Sequence, residues 1–221
     1  LTFRDIVHQY CKGHPWARFG IDLCIGSEAD QPITQRQMMF APFYLMDAFD
    51  GAQIKGDSIQ RPLITANELI VDATPEPDES DWMPTPLQCS LLLFILTAAA
   101  TIYGIRRRTG LWGIDLFLFG IAGIVGCVLA FLALFSQHPA VSSNFLLLVF
   151  HPGQLLFLPY IIYCVRKGKK CWYLTLNLAV LTLFIVLFPV IPQRFDFAVV
   201  PLALVLLIRS ASNLIVTSKK K

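Results

Sequence analysis

The run PLQCSLLLFILTAAATIYGIRRR, residues 86–108, decides the fold. Residues 86–105 carry no charged side chain. A helix of about 20 residues at 1.5 Å per residue spans the ~30 Å hydrocarbon core of a bilayer. Arg106, Arg107 and Arg108 follow at once, where a crossing helix meets the headgroups. Four further apolar segments have crossing length: 111–135, 145–165, 173–192 and 195–216. The 221-residue chain is 55% hydrophobic, with a mean hydropathy of +0.60, more apolar than a water-soluble domain. The expected fold is therefore a membrane α-helical one with five transmembrane helices, preceded by a small α+β extracytoplasmic segment.

Charge placement orients these segments. Basic runs follow the first segment, the third (RKGKK, 166–170) and the fifth (KKK, 219–221). The intervening loops SQHPAVSSN (136–144) and IPQR (191–194) carry Arg194 alone. By the positive-inside rule the basic ends are cytoplasmic, which places residues 1–84 outside and the C-terminus inside. Trp82, Trp112 and Trp172 fall at segment ends, where interfacial anchors belong. Residues 1–81 hold six Lys and Arg against thirteen Asp and Glu, a net of −7. Residues 82–221 hold twelve against two, a net of +10. Charge segregated in this way points to two compartments and speaks against a nucleic-acid partner. Leu1 opens a stretch with neither a basic n-region nor an apolar h-region, so no signal peptide is read there. The sequence is expected to be a fragment or a processed product.

The acidic front divides further. Thr2 caps a helix through Ile6, Val7 and Tyr10 that Gly13 and Pro15 end. Residues 33–50 read as a second helical stretch, interrupted at Pro42. RPLITANELIV (61–71) is a strand candidate, paired in a hairpin with 52–55. DATPEPDESDWMPTP is Pro-rich and acidic, which marks a linker over 73–85 between a domain at 1–72 and the membrane domain at 86–221.

Chemistry-bearing residues are few. In RFGIDLCIGSEADQPITQRQMMF (18–40), Cys24 could serve as a thiol nucleophile with His8 or His14. Its neighbours Leu23 and Ile25 favour a packing role by alternation. Ser27, Glu28 and Asp30 read either as an acidic group orienting a base or, preferably, as a turn capping the next helix. Arg36 lies between two Gln, on a solvated helix face or against a lipid phosphate. Within the apolar segments the ionisable groups are Asp115, His151, Asp196 and Arg209. Asp115 lies near the cytoplasmic face, Arg209 is expected to snorkel there, and Asp196 sits beside Arg194 at the outer interface. His151 is deeper, and Pro152 and Gly153 beside it break the backbone pattern, either as a kink or around a lipid or substrate groove. The six Cys form no CxxC and no Cys/His cluster of zinc spacing, so no metal or cofactor is expected. Cys11 and Cys24 are the pair placed to form a disulfide outside the membrane.

Nearly the whole chain resembles one family. TFRDIVHQYCKGHPWARFGIDLCIGSEADQPITQRQMMFAPFYLMDAFDGA, then RPL, then the tail with HPAVSSN, HPGQLL and IPQRF, is similar to the C-terminal half of bacterial proteins with an Lnb-type periplasmic domain. GIDLCIGSEAD and RQMMFAPFYLMDAF are its specific parts. The resemblance implies the distal part of a papain-like, NlpC/P60-related thiol domain facing the periplasm, carried on helices of the bacterial inner membrane. It also implies lipoprotein N-acylation: an acyl chain passes from a membrane phospholipid through a cysteine thioester to the N-terminal Cys amine of a diacylated lipoprotein. The family's catalytic His and Cys belong to GHTAIR-like and NCTTRxRD-like segments, expected upstream of Leu1; neither string occurs here, so no catalytic residue is carried over. Arg18, Asp22, Gly26 and Asp30 match the GIDL…AD block, and Arg18, Asp22, Asp30, Arg36 and His151 stand as candidate substrate-binding or supporting residues. A non-catalytic anchor or partner-binding module is the alternative reading, and a small transporter a third.

Overall fold

The computed structural model describes residues 1–56, 60–71 and 83–218. Trp82, Lys219–Lys221 and most of the expected linker lie outside the described residues. Helix α1 (Phe3–Tyr10) starts as its sequence dictates. Thr2 Oγ1 accepts from Asp5 N at 3.1 Å, and Asp5 Oδ2 accepts from Thr2 N at 2.9 Å, a reciprocal capping box. Gly13, with φ 85°, makes the turn out of it. A second helix, α2 (Pro15–Cys24), follows where the sequence reading had placed none, with Pro15 at its first position. This corrects the alternation argument for Cys24, which is the half-buried last residue of a helix and not part of a strand.

A single 3₁₀ turn spans Ser27–Asp30. The expected helix over 33–50 is split: α3 (Gln35–Met38) ends, and Pro42 opens α4 (Pro42–Asp50). Strand β1 (Gln53–Lys55) pairs antiparallel with β2 (Gln60–Pro62), Gln53 lying opposite Pro62. The hairpin is as expected, but its second strand stops at Pro62 and does not run on to 71.

The rest is a helical bundle. Helices α5 (Pro86–Arg107) and α6 (Trp112–Phe135) have 22 and 24 residues, about 33 and 36 Å. After them come α7 (Pro152–Leu156), α8 (Leu158–Lys167), α9 (Trp172–Leu187) and α10 (Val199–Ser218). Among the described residues three helices, α5, α6 and α10, are long and apolar enough to cross a membrane. A fourth crossing results if α8 and α9, bent by 111°, count as one broken span. The expected segment 145–165 is not one helix. It is a 3₁₀ turn (Phe145–Leu148), an extended His151, then α7 and α8: His151, before Pro152, avoids the α region, and Pro159 has no N–H to carry the ladder of α7 on into α8.

Small residues bring the helices close. The buried face of α5 is Pro86, Ser90, Thr97, Thr101 and Gly104, set mainly against α10. On α6, Gly123 and Gly126 leave room for the backbone of Leu155 and of His151. Large apolar side chains on the outside, such as Ile95, Phe117, Ile124 and Phe131, are more than half exposed. That belt is too extensive for water and suits acyl chains. Trp112 and Trp172, at the starts of α6 and α9, are also exposed, as interfacial anchors are.

Candidate functional site

The N-terminal segment is docked onto one end of the bundle by a buried polar network whose centre is Arg4. Capping fixes the start of α1 and places Arg4 on its inner face, where the side chain is 1% exposed. Its Nη1 donates to Asp22 Oδ1 at 2.7 Å and its Nε to Asp30 Oδ1 at 2.7 Å. Nη2 reaches Asp30 Oδ2 at 3.1 Å and the carbonyls of Ile25 and Gly26. A guanidinium serves this many acceptors because it is planar and carries five donors.

Asp30 is shared. Arg194, from the loop before α10, donates its Nε to Asp30 Oδ1 at 2.9 Å and its backbone N to Oδ2 at 2.9 Å. The same guanidinium reaches Asp5 Oδ1 and Thr2 Oγ1, each at 2.7 Å. Burial raises the Asp30 pKa, but the hydrogen bonds from Arg4 and Arg194 outweigh it and hold the carboxyl below its ordinary value. The Arg194 hydrogen bond holds Asp5 down to about 2. Asp30 is thus no helix cap; it joins α1 to the bundle. Arg194 pairs with Asp5 and Asp30, while Asp196 accepts from Ala198 N at the start of α10.

Backbone contacts complete the joint. Gly26 N donates to Ala140 O at 2.8 Å, and Ser27 N to Ser143 O at 3.3 Å. A Cβ on Gly26 would collide with the Ser142 carbonyl, so this approach requires glycine. Asn144 Nδ2 donates to Leu23 O at 2.8 Å, and Gln193 Nε2 donates to Ile25 O at 3.2 Å. The loops HPAVSSN and IPQRF therefore hold the block GIDLCIGSEAD directly.

Beside the joint lies an open groove. One part, about 610 Å³, is walled by Arg4, His8, Arg18 and Arg194 on one side and by Phe188 and Ile191 on the other. An adjoining part, about 450 Å³, shares His8, Arg18, Phe195 and Phe197 and extends to Cys11 and the start of α5. Asp22, 3% exposed, orients the groove's polar wall: it accepts His8 Nε2 at 2.8 Å and lies 3.8 Å from Arg18 Nε. Arg18 is half exposed and Phe197 is 71% exposed at the bundle rim. Ionic donors on one wall and aromatic surface on the other suit an amphiphile.

Of the sequence candidates, the structure brings Arg18, Asp22 and Asp30 together. Arg36 lies on the exposed face of α3, away from the groove. Cys24 lies outside it as well; burial pushes its thiol pKa up, away from thiolate, and His8 is turned to Asp22. Cys11 and Cys24 are both free thiols. Arg4 was missed, since nothing in TFRD sets it apart from a surface Arg.

His151 belongs to a separate cluster inside the bundle. Its Nε2 is 3.3 Å from Asn177 Oδ1, and Tyr173 Oη is 3.4 Å from its Nδ1. Asn177 Nδ2 donates to Ser210 Oγ at 3.0 Å. Gln154, fully buried, donates to Val149 O at 2.8 Å and so satisfies a carbonyl that the chain break frees. The backbone is extended at His151 and α7 begins at Pro152, so the chain breaks there. Arg209 does not snorkel: it is 2% exposed and meets Asp115 at 2.7 and 3.0 Å, with Thr101 Oγ1 at 3.0 Å. Two opposite charges at similar depth find each other more cheaply than either finds the interface.

Among the described residues no three His, Cys, Asp or Glu side chains converge as metal ligands. Residues 78–221 match the family model described as the Lnb transmembrane domain. No curated protein and no solved structure matches the chain significantly.

Proposed function

Since the chain belongs to the family defined by the Lnb transmembrane domain, we propose that it is the C-terminal half of an inner-membrane lipoprotein N-acyltransferase-like protein. In this reading residues 1–72 are the distal part of a papain-like thiol domain whose catalytic Cys and His precede Leu1. The acyl carbonyl of a phospholipid passes to the thiol, releasing a lysophospholipid. The N-terminal Cys amine of a diacylated lipoprotein then attacks the thioester, forming an amide and returning the thiol.

The observation that supports this reading best is the groove at the joint. It sets Arg18 and His8 over Phe195 and Phe197 at the rim of an apolar bundle, where a phospholipid's headgroup and chain could enter from the bilayer. The bundle crosses five times, with the third crossing interrupted at His151 and Phe157. The N-terminal segment is periplasmic and the C-terminus cytoplasmic, following the basic runs.

The test is complementation of a strain deficient in N-acylation by the full-length gene, with mass spectrometry of lipoprotein N-termini. Triacylated products are expected; diacylated products alone would overturn the reading. A non-catalytic anchor is the second reading, favoured by the pairing of His8 with Asp22 and by the raised Cys24 thiol pKa. Full activity of the full-length protein cut after residue 72 and tethered by an unrelated membrane helix would show that the bundle serves only as an anchor.

A further inference from the structure

The end of the bundle remote from the joint carries a second surface. Helix α5 runs from the groove at Pro86 and Leu87 to Arg106 and Arg107, about 33 Å away. There the turn into α6 meets the end of α8: a Cβ on Gly110 would lie 2.6 Å from Val165 Cγ1 and 2.8 Å from Val165 O. Two basic runs distant in sequence thus become one patch. Arg106, Arg107, Arg108, Arg166, Lys167, Lys169 and Lys170 are all exposed. The nearby carboxylate of Asp115 is buried and taken by Arg209, so it does not offset them.

The patch is ordered by aromatic rings. Arg166 lies 5.1 Å over the ring of Trp112, and Arg107 lies 5.8 Å over that of Tyr103. Lys169 Nζ donates to Tyr163 Oη at 3.1 Å. Beside these groups one face of α8 forms an open surface cleft of about 540 Å³, lined by the apolar Pro159, Ile162 and Tyr163 and by Arg166 and Lys167. Cations beside apolar side chains, on the flank of membrane helices, match a phosphate headgroup with its acyl chain below.

We propose that this cleft binds an anionic phospholipid of the leaflet on that side. Arg166 and Lys167 meet the headgroup phosphate, and the surrounding basic residues favour net negative charge. This binding is separate from acyl transfer, which the groove at the joint concerns, so either idea can fail without the other.

The experiment is native mass spectrometry of the purified full-length protein in micelles doped with phosphatidylglycerol or phosphatidylcholine of identical chains. Wild-type protein is expected to retain phosphatidylglycerol about tenfold better, with the preference collapsing near 1 M salt, where charges are screened beyond about 3 Å. The pair Arg166→Gln and Lys167→Gln should remove about tenfold of that preference, while the charge-keeping pair Arg166→Lys and Lys167→Arg keeps most of it. Equal retention of the two lipids by wild type overturns the proposal even if no variant folds. A preference unchanged in the Gln pair, or displacement of the lipid by millimolar inorganic phosphate alone, overturns it as well.

Discussion

Replacing Arg4 by Met keeps the apolar stem and removes the guanidinium that joins α1 to Asp22 and Asp30. Arg4 is 1% exposed, and its partners' side chains are 4% and 10% exposed. Removing one member of a buried ionic group costs about 3–5 kcal/mol, because the remaining charges stay desolvated. Asp30 keeps Arg194, and Asp22 keeps His8 and the distant Arg18, so the lower end, about 3 kcal/mol, applies. That is about a hundredfold in the equilibrium for opening the joint. The amides of Gly26 and Ser27, bonded to Ala140 O and Ser143 O, report this opening. Hydrogen exchange followed by mass spectrometry should show them exchanging about a hundredfold faster in Arg4→Met, with α6 unchanged. Arg4→Lys should fall between, since one ammonium cannot reach two carboxylates and two carbonyls. Wild-type exchange at Gly26 and Ser27 in Arg4→Met would refute the reasoning, and wild-type exchange in Arg4→Lys would refute its geometric part.

The joint should also respond to acid. Asp5 and Asp30 have folded pKa values below the ordinary 3.8, Asp5 at about 2, so their stabilisation is full above about pH 4 and lost as pH falls from there through 2. Limited proteolysis at constant ionic strength should find the joint looser at pH 2.5 than at pH 6, and a tighter joint at pH 2.5 would contradict this. Gly126→Val drives a side chain into the His151 backbone and should cost about 1–3 kcal/mol, read as a lower thermal midpoint in micelles. Gly113→Ala, in open space on the same helix, should be neutral or slightly stabilising, and equal effects of the two would discredit the packing argument. Asp115→Asn leaves Arg209 buried and unpaired, a loss of about 3–5 kcal/mol, whereas Asp115→Leu with Arg209→Leu should recover most of it. A double variant as unstable as the single one in thermal unfolding would show that the pair does more than neutralise itself.

Local rules carried much of the fold. Thr2 as a cap, and Pro42 as the break at which α4 starts, could be read within one turn of helix. The apolar runs at 86–105, 111–135 and 195–216 exceed what any soluble helix needs, so α5, α6 and α10 were legible as well. Helix α2 was hidden because PWARFGIDLC is short and contains Gly20, and its apolar positions Trp16, Phe19 and Leu23 are too few to count as a period against their neighbours. The broken third segment was signalled by HPGQ, yet hydropathy averages over the break while the hydrogen-bond ladder does not. The network at the joint was illegible for another reason. Arg4, Asp30 and Arg194 are 26 and 164 residues apart, and a charge that pairs at that range looks in sequence like any surface charge.

Three of the stretches that carry the resemblance touch one another. HPAVSSN and IPQRF lie more than a hundred residues beyond GIDLCIGSEAD, and the three meet through Gly26, Asp30, Asn144, Gln193 and Arg194. A bundle that merely tethered a soluble enzyme would need no such joint, because a flexible linker keeps a domain near a membrane without choosing its angle. Burying Arg4 and spending Asp30 on two arginines fixes that angle. It also brings Arg18 and His8 to the rim beside Phe195 and Phe197, where a bilayer lipid would meet them. Orientation of this kind matters when one reactant lies in the membrane and the other groups stand above it, since a small misplacement of the acyl carbon costs orders of magnitude in rate. If the bundle is part of the enzyme, lengthening the loop at Ser136–His138 without altering the joint should leave acylation intact, whereas Asp30→Asn should reduce it with the protein still inserted. Full acylation in Asp30→Asn would mean that nearness to the membrane, and not the joint, is what the bundle supplies.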